Sequence, residues 1–258
     1  MVNLSIVYLS LLVYKYISKW YDSMQAKNQK FIVEDWGLMD YKTVWAKQEA
    51  LFNEIITIKT ANRGLDSRRQ QPTPNYLIFC EHLPVYTLGK TGDKAHLLLS
   101  EEGLAQKEVS FVPINRGGDI TYHGPGQLVL YPVLDLENFF NDIHLYLRVL
   151  EKAVIHTLQA FNVSSSSLPG LTGVWVNAEE PDNARKICAI GIRLSKWVTM
   201  HGLALNVNTD LRYFQHIIPC GLQNVRVTSM EAELGSQVSV EEVKTQLQQS
   251  IIQCLLSS

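Results

Sequence analysis

Twelve consecutive residues near the middle of the chain combine glycines with side chains that could do chemistry. This stretch, from Arg116 to Gln127, reads RGGDITYHGPGQ and holds four glycines and one proline beside Asp119, Tyr122 and His123. Glycine allows the backbone to approach a ligand closely, and the polar side chains supply specific contacts. A plain hairpin loop would need only one or two turn residues. The stretch therefore predicts a rigid loop between two strands that holds a small molecule.

Two cysteines compete for the role of a nucleophile, which reacts as the thiolate. Cys220 lies in Ile-Pro-Cys-Gly, where Pro219 fixes the backbone before it and Gly221 allows a sharp turn after it. Cys188 lies in an apolar run two residues after Lys186, and strand alternation would place both side chains on one face. The setting of Cys220 fits a projecting corner, whereas that of Cys188 fits core packing.

Lys186 follows a polar turn and opens the apolar run. A lysine at such a position is ordinarily a solvated charge. Beside a thiol, its positive charge would favour the thiolate, and the pair could shuttle one proton. The separation of Lys186 and Cys220 along the chain does not show whether their side chains meet. Residue types alone therefore do not decide whether the two act as a pair.

The flanking segments predict the elements that position these residues. Apolar, β-branched runs predict strands, and apolar residues at helical spacing predict helices, with Asp40 and Ser239 as caps. Strands and helices mix without strict alternation, repeat or linker, which favours a single α+β domain. Strands are predicted at 76–80, 109–114, 128–134, 172–176, 186–194 and 197–207, and the run 85–88 continues or pairs with the first. Helices are predicted over 40–58, 142–161 and 239–256.

Composition excludes several classes of function. The chain has 258 residues, 46% hydrophobic and 19% charged, with a net charge of −2, which argues against nucleic-acid binding driven by phosphate contacts. Its four cysteines include no Cys-x-x-Cys pair, so neither a zinc site nor a disulfide scaffold is indicated, and a cytoplasmic location is favoured. No phosphate-binding loop, nucleophile-elbow or metalloprotease motif is present.

The N-terminus begins with an apolar run of 14 residues followed by two lysines. The run is too short to span a bilayer and lacks the features of a signal peptide. Three interpretations remain open: a membrane-surface helix, an appended packing helix, or a segment ahead of a start at Met24. We expect residues 1–30 to be an appendage without catalytic role or stable membrane insertion.

Four motifs in one order, and a fainter one upstream, resemble the octanoyl transferases of lipoate biosynthesis, the lipoate-protein ligase B family. The resemblance runs from about Phe31 to the C-terminus. It implies that residues 31–258 form the catalytic domain, a mixed β-sheet flanked by helices, like that of biotin and lipoate protein ligases. The motifs are EHLPVYTLG at 81–89 (the faintest), RGGDITYHGPGQ at 116–127, RKICAIGIR at 185–193, HGLALNVN at 201–208 and IPCG at 218–221.

The resemblance also implies a reaction and a site. An octanoyl group would pass from octanoyl-acyl carrier protein to Cys220 and then to a lysine of a lipoyl domain, with Lys186 as acid and base. The acceptors would be 2-oxoacid dehydrogenase E2 subunits and the glycine cleavage H protein, without nucleic acid, metal or cofactor. The substrate-binding residues implied are Arg116, Gly117, Gly118, Asp119, Ile120, Thr121, Tyr122, His123, Ala189, Ile190, Gly191, Gly202, Leu203 and Ala204.

An eight-carbon chain needs an apolar slot, and several of these implied residues are small enough to leave one. Residues 202–204 are also the candidates for contacts to the oxyanion of each tetrahedral intermediate. His123 and His201 are expected to hydrogen-bond within the site, although His201 could simply end a strand.

Three alternative functions remain open from the sequence alone. An ATP-dependent lipoate ligase of the same fold would need no nucleophilic cysteine and would depend on ATP and magnesium. A non-catalytic binder of lipoyl domains or acyl carrier protein would tolerate loss of Cys220 and Lys186. A biotin ligase would be expected to carry a more basic glycine loop.

Removing the residues before Met24 is expected to leave octanoyl transfer close to the full-length rate, because every motif lies after that position. The check is the transfer rate of both proteins, with circular dichroism to show that the truncated chain is folded. A folded truncation without transfer would place the N-terminal residues in the site.

Overall fold

The structure, a computed structural model, describes residues 27–180, 182–218 and 226–258. Within these ranges two β-sheets are flanked by helices, which is the α+β fold that the sequence predicts. The strands are β1 (Ile32–Met39), β2 (Tyr76–His82), β3 (Val85–Leu88), β4 (Ser110–Pro113), β5 (Ile120–His123), β6 (Gln127–Val133), β7 (Ser166–Leu168), β8 (Leu171–Val176), β9 (Arg185–Ser195), β10 (Val198–Asn206) and β11 (Arg226–Val227). The helices are α1 (Tyr41–Asn62), α2 (Glu101–Gln106), α3 (Ile143–Ala160), α4 (Met230–Leu234) and α5 (Val240–Leu256), with 3₁₀ turns at Ser67–Arg69, Lys94–His96, Leu136–Asn138 and Leu211–His216.

The large sheet has the strand order β1-β2-β6-β10-β9-β8-β7, and the small sheet has the order β4-β3-β5. β1 runs parallel to β2, and β11 runs parallel to the start of β9, whereas the other neighbours in the large sheet are antiparallel. The large sheet is therefore mixed, and β6 and β10 are interior strands.

Alternate residues of the central strands enter opposite faces of the large sheet, because successive side chains of a strand point in opposite directions. On β2, Leu77 and Phe79 join a core with α3 and α5. Ile78 and Cys80 join a second core with α1. The sheet is thus a layer between α1 on one face and α3 with α5 on the other.

The three long helices begin at side-chain caps. The side chains of Asp40, Asp142 and Ser239 each accept a hydrogen bond from a backbone N–H two or three residues later. Each cap occupies a donor that the first turn of a helix leaves unpaired. The predicted caps at Asp40 and Ser239 are confirmed.

The prediction for residues 85–88 was wrong about their partner. The run is a strand, β3, but it pairs with β4 and β5 in the small sheet and does not pair with β2. A bend at Leu83 and Pro84 separates it from β2 and turns the chain away from the large sheet.

The Gly-rich stretch contains a strand, although its sequence predicts a loop. β5 lies within it and pairs with β3, which leaves loops only at 116–119 and 124–126. Ile-Thr-Tyr-His has the composition of a strand, but the glycines on both sides of it favour the prediction of a loop. The sequence patterns also do not predict β1, β7, β11, α2 and α4, which are short or lack a clear apolar period.

A β-bulge interrupts β9 beside Lys186. Trp175 pairs with Lys186 and Val174 pairs with Cys188, so Ile187 has no partner on β8. Ile187 and Cys188 are adjacent, yet both are fully buried in the core. The expected sharing of one face by Lys186 and Cys188 therefore does not hold, because a bulge shifts the alternation.

Residues 27–30, which the sequence assigns to the appendage, are bound to the body of the domain. Asn28 donates a hydrogen bond to the carbonyl of Thr73 at 2.7 Å and its own carbonyl accepts one from Asn75 at 2.7 Å. The region of the chain before residue 27 lies outside the described residues. Among those described, no helix combines the length and apolar character that crossing a membrane requires.

Replacing Asp142 with alanine is expected to destabilise the protein by about 1 kcal/mol, because two backbone N–H groups of α3 lose their acceptor. Thermal or urea unfolding measures the loss. Asp142→Asn should retain most of the stability, and the exposed Glu179→Ala serves as the matched control. Equal stability of Asp142→Ala and the control would contradict the capping role.

Candidate functional site

A cavity of about 380 Å³ lies between the small sheet and the α1 face of the large sheet. Its walls come from β6, β9 and β10, from the Gly-rich stretch and from the first residue of α1. The side chains and backbone that line it include Tyr41, Arg116, Gly117, Gly118, Asp119, Ile120, Thr121, His123, Gln127, Val129, Tyr131, Leu147, Leu171, Lys186, Ala189, Ile190, Gly191, Ile192, His201, Gly202, Leu203, Ala204, Asn206, Phe214 and Val227.

The first loop of the Gly-rich stretch is fastened to β9. The N–H of Gly117 donates to the carbonyl of Ile192 at 2.9 Å. A Cβ on Gly191 would lie 3.0 Å from Cδ of Arg116, so glycine at this position leaves space for the arginine side chain. Small residues in these segments thus serve the packing of the loop on β9 as well as the cavity.

A directed chain of hydrogen bonds begins at Arg116, which is buried and always a donor. One guanidinium nitrogen donates to the carbonyl and to the hydroxyl of Thr87, at 2.9 and 3.0 Å. The hydroxyl hydrogen of Thr87 is then free to point at Nε2 of His123, 3.4 Å away. A hydroxyl can also accept from Nε2, so the tautomer of His123 is decided by the partner of its other nitrogen.

The chain continues from His123 into the large sheet. Its Nδ1 donates to Oε1 of Gln127 at 2.7 Å. The amide nitrogen of Gln127 donates to Oδ1 of Asn206 at 2.9 Å, and Asn206 donates to the carbonyl of Thr228 at 3.0 Å. The orientation of both amides follows from these partners. The chain links β3, β5, β6 and β10 to the residue after β11.

Three buried histidines around the cavity are neutral at neutral pH. Burial lowers the pKa of His82 to about 4 and that of His201 to about 3, with the charges of Arg116 and Arg193 adding to the effect at His201. Burial also holds the pKa of His123 well below its usual range. These side chains are hydrogen-bonding groups, because a base needs a pKa near the working pH.

His201 lies inside β10 and does not end it. Its φ is +61°, which is uncommon for a residue other than glycine and occurs at functional sites. Its backbone N–H donates to Gln48 at 3.2 Å, and Nε2 contacts Oδ1 of Asn115 at 2.8 Å. His201 therefore connects the cavity wall to α1 and to the segment before the Gly-rich stretch.

Lys186 is the ionisable group at the start of β9 that lines the cavity. Its Nζ lies 4.6 Å from the ring centroid of Trp175, in a cation–π contact. Its carbonyl accepts a hydrogen bond from the N–H of Thr228 at 3.0 Å, and Val227 pairs with it across the sheet. The lysine is held by β8 on one side and by β11 on the other.

Most of the implied substrate-binding residues meet at the cavity, and Tyr122 is the exception. Its side chain is 1% exposed and stacks on Tyr213, with ring centroids 4.6 Å apart, inside the core of the small sheet. The substrate contact expected of Tyr122 stays a prediction, and its side chain does not line the cavity. The reason is the strand β5, whose alternation turns Tyr122 away from the side that Thr121 and His123 share.

Asp119 lines the cavity, but its carboxylate is engaged by protein groups. One oxygen lies 2.6 Å from Nδ1 of His96, and the other accepts from the N–H of Ile120 at 2.7 Å. The carbonyl of His96 in turn accepts from the N–H of Ile218 at 2.9 Å. Asp119 thereby joins the Gly-rich stretch to the residue that precedes Pro-Cys-Gly.

Cys220 itself lies outside the described residues. The three other cysteines are buried. Burial raises the pKa of the Cys188 and Cys80 thiols far above their usual range and also raises that of Cys254. A thiol held in this form is a poor nucleophile, which fits the core role predicted for Cys188.

Residues 202–204 lie within the interior strand β10, and the oxyanion role expected of them stays a prediction. Leu203 and Ala204 are registered against β6 on one side and β9 on the other. The segment contributes the wall of the cavity.

Several cavity residues were not singled out from the sequence. Gln127 and Asn206 lie within quoted motifs, and their amides in those motifs were an available signal. Tyr41 and Tyr131 carry no such signal, because a strand or helix residue acquires its place in the cavity through packing. Within the described residues, no group of three or more His, Cys, Asp or Glu side chains stands ready to hold a metal ion.

Comparison with known proteins agrees with these observations. A family model, the lipoyl protein ligase A/B catalytic domain, matches residues 40–252. The octanoyltransferase of Cytophaga hutchinsonii is 54% identical over 220 residues, which cover 85% of this chain and 90% of that protein. The octanoyltransferase of Flavobacterium psychrophilum is 55% identical over 221 residues, which cover 85% of this chain and 94% of that protein.

Solved structures share the fold at low sequence identity. The bipartite lipoate protein ligase of Thermoplasma acidophilum is 17% identical, with a TM-score of 0.63, and the match covers 88% of this chain and 84% of that chain. The α+β fold of this chain is therefore similar to that of a lipoate protein ligase.

The neutral histidines predict a specific pH dependence of stability. The unfolded chain binds a proton at His82 near the ordinary pKa of 6.5, whereas the folded protein does so only near 4, so stability falls as pH falls through that window. From pH 7 to 5 this residue alone should cost about 2 kcal/mol. In His82→Gln, the difference in unfolding free energy between the two pH values should shrink by that amount.

The matched control for this measurement is His144→Gln, at an exposed position on α3. The same pH dependence in His82→Gln and in the wild type would show that folding leaves the pKa of His82 unchanged.

Proposed function

The chain belongs to the octanoyltransferases of the lipoyl protein ligase A/B family, and we propose that it carries the octanoyl group as a thioester on Cys220. It is an acyltransferase that acts in protein lipoylation. The acyl donor that we propose is octanoyl-acyl carrier protein, and the acceptors are lysines of lipoyl domains, in 2-oxoacid dehydrogenase E2 subunits and the glycine cleavage H protein. Residues 1–30 are proposed as an appendage outside this activity.

The observation that carries the proposal is the placement of Lys186 at a cavity that is also lined by the Gly-rich stretch and by residues 189–191 and 202–204. The cavity volume of about 380 Å³ is within the range of small-molecule sites. Residues such as Ala189 and Ala204 give it an apolar wall without filling it. Such a cavity fits an uncharged acyl chain with its reacting carbon at the lysine.

The chain on either side of Cys220 supports a role beside this lysine. Ile218 is hydrogen-bonded to His96, whose side chain contacts the Gly-rich stretch. Val227 lies opposite Lys186 in the sheet. The segment that contains Cys220 therefore starts and ends at the borders of the cavity.

In the first proposed step, the thiol proton of Cys220 passes to Nζ of Lys186. The thiolate attacks the thioester carbonyl of the donor, and the tetrahedral intermediate expels the carrier thiolate, which recovers the proton from Lys186. One C–S bond forms and one breaks, so the exchange is nearly balanced and needs no ATP.

In the second step, the ε-amine of the acceptor lysine attacks the acyl-enzyme. A C–N bond forms, the C–S bond to Cys220 breaks, and Lys186 carries a proton from the amine to the departing thiolate. An amide replaces a thioester, which drives the reaction forward. The neutral histidines orient groups in the cavity and take no part in the proton transfers.

Intact-protein mass spectrometry after incubation with octanoyl-acyl carrier protein, without ATP, tests this proposal. The wild type and Cys188→Ala should acquire one octanoyl adduct that hydroxylamine removes, and Cys220→Ala should acquire none. Cys220→Ser should lose transfer by orders of magnitude, because an alkoxide is far harder to form than a thiolate.

Three results would contradict the proposal. An adduct on Cys188 would move the nucleophile to the core of β9. Transfer that requires ATP and magnesium, without an adduct, would favour the ligase reaction of the same fold. Full activity of Cys220→Ser would exclude a thioester on this residue.

A further inference from the structure

Lys186 rests on an aromatic surface that is itself firmly held. Trp175 is 2% exposed, and its indole N–H donates to the carbonyl of Leu171 at 3.3 Å. The ring face is turned to Nζ of Lys186, 4.6 Å from the ring centroid. Because Trp175 pairs with Lys186 in the ladder, the indole and the ammonium are neighbours by register as well as by contact.

Gly173 leaves the space through which the lysine side chain passes. A Cβ at this position would lie 3.4 Å from Cε of Lys186 and 2.7 Å from the carbonyl oxygen of Cys188. The φ of Gly173 is +128°, which side chains rarely tolerate. A larger residue would therefore collide with the backbone of β9 beside its bulge, whereas its Cβ would be in ordinary contact with the lysine.

Glu151 of α3 also acts on this lysine through its charge. Its carboxylate is buried, accepts from the N–H of Gly173 at 3.0 Å and forms an ion pair with Arg148 at 2.6 Å. The indole therefore adds a direct contact to Nζ beside the electrostatic attraction of Glu151.

We propose that Trp175 is a positioning residue for Lys186, holding its Nζ at the cavity by a cation–π contact. The inference rests on the proposed proton transfer between Lys186 and Cys220. An indole face attracts an ammonium group but has no lone pair in the ring plane with which to take its proton. The indole can therefore hold the ammonium end of the lysine at the cavity without taking part in the proton transfer.

The inference predicts a graded series of variants. Trp175→Phe keeps an aromatic face and should slow formation of the octanoyl-enzyme only slightly. Trp175→Leu keeps an apolar side chain without a π face and should slow it roughly 2- to 30-fold, the range that cation–π contacts span. KM for the octanoyl thioester should change little, because the indole acts on the lysine. Trp197→Leu, in the turn after β9, is the control, because it removes an indole that does not contact Lys186.

A double-mutant cycle with Lys186→Gln separates positioning from a general structural effect. Each variant is incubated with octanoyl-acyl carrier protein, the rate of adduct formation is measured by mass spectrometry, and melting temperatures establish that the proteins are folded. If Trp175 acts through the lysine, Trp175→Leu slows the wild type but not the Lys186→Gln protein.

Each other outcome overturns the inference. An equal slowing in both backgrounds, or equal rates for Trp175→Leu and Trp175→Phe, would mean that Trp175 only supports the core. These results would leave the proposed function intact as long as Lys186→Gln itself is slow. A Lys186→Gln protein that acylates at the wild-type rate would overturn the lysine's role and the inference together.

Discussion

The buried guanidinium of Arg116 is the constraint on which the rest of the cavity depends. A buried charge is costly unless hydrogen bonds replace its water, and Thr87 and the carbonyl of Gly117 supply them. The carbonyls of Tyr122 and Thr228 only accept, so they fix the orientation of the Gln127 and Asn206 amides, and Oε1 of Gln127 accepts from Nδ1 of His123. These fixed partners select one tautomer and one orientation of each amide, and the chain links the small sheet to the large one.

This arrangement separates the groups that hold the cavity from those that could react in it. The histidines are deeply buried and stay neutral, so at neutral pH they give and accept hydrogen bonds without changing charge. β10 is interior and its backbone is occupied by ladders on both sides. The proton transfer that we propose falls to Lys186, which stands near the start of a strand, where side chains reach a ligand.

The lysine shows how a small irregularity in a sheet can serve a site. Regular alternation would have made Lys186 and Cys188 neighbours on one face. The bulge at Ile187 instead buries the thiol in the core and leaves the lysine at the cavity against Trp175. Bulges re-aim side chains in this way because two residues on one strand oppose one on its partner. The thiol of Cys188 is thereby kept away from the cavity.

The sequence by itself determined the α+β class, the long helices with their caps at Asp40 and Ser239, and the segments that meet at the cavity. Those features follow from local chemistry: apolar periods, capping side chains and glycines act over a few residues. Only the tertiary structure decided that β3 joins the small sheet, that Tyr122 turns into the core, and that Ile187 bulges. It also decided that the amides of Gln127 and Asn206 complete a chain of hydrogen bonds. These outcomes depend on which distant strands pair and in which register, and a shift of one residue reverses the face to which each side chain points.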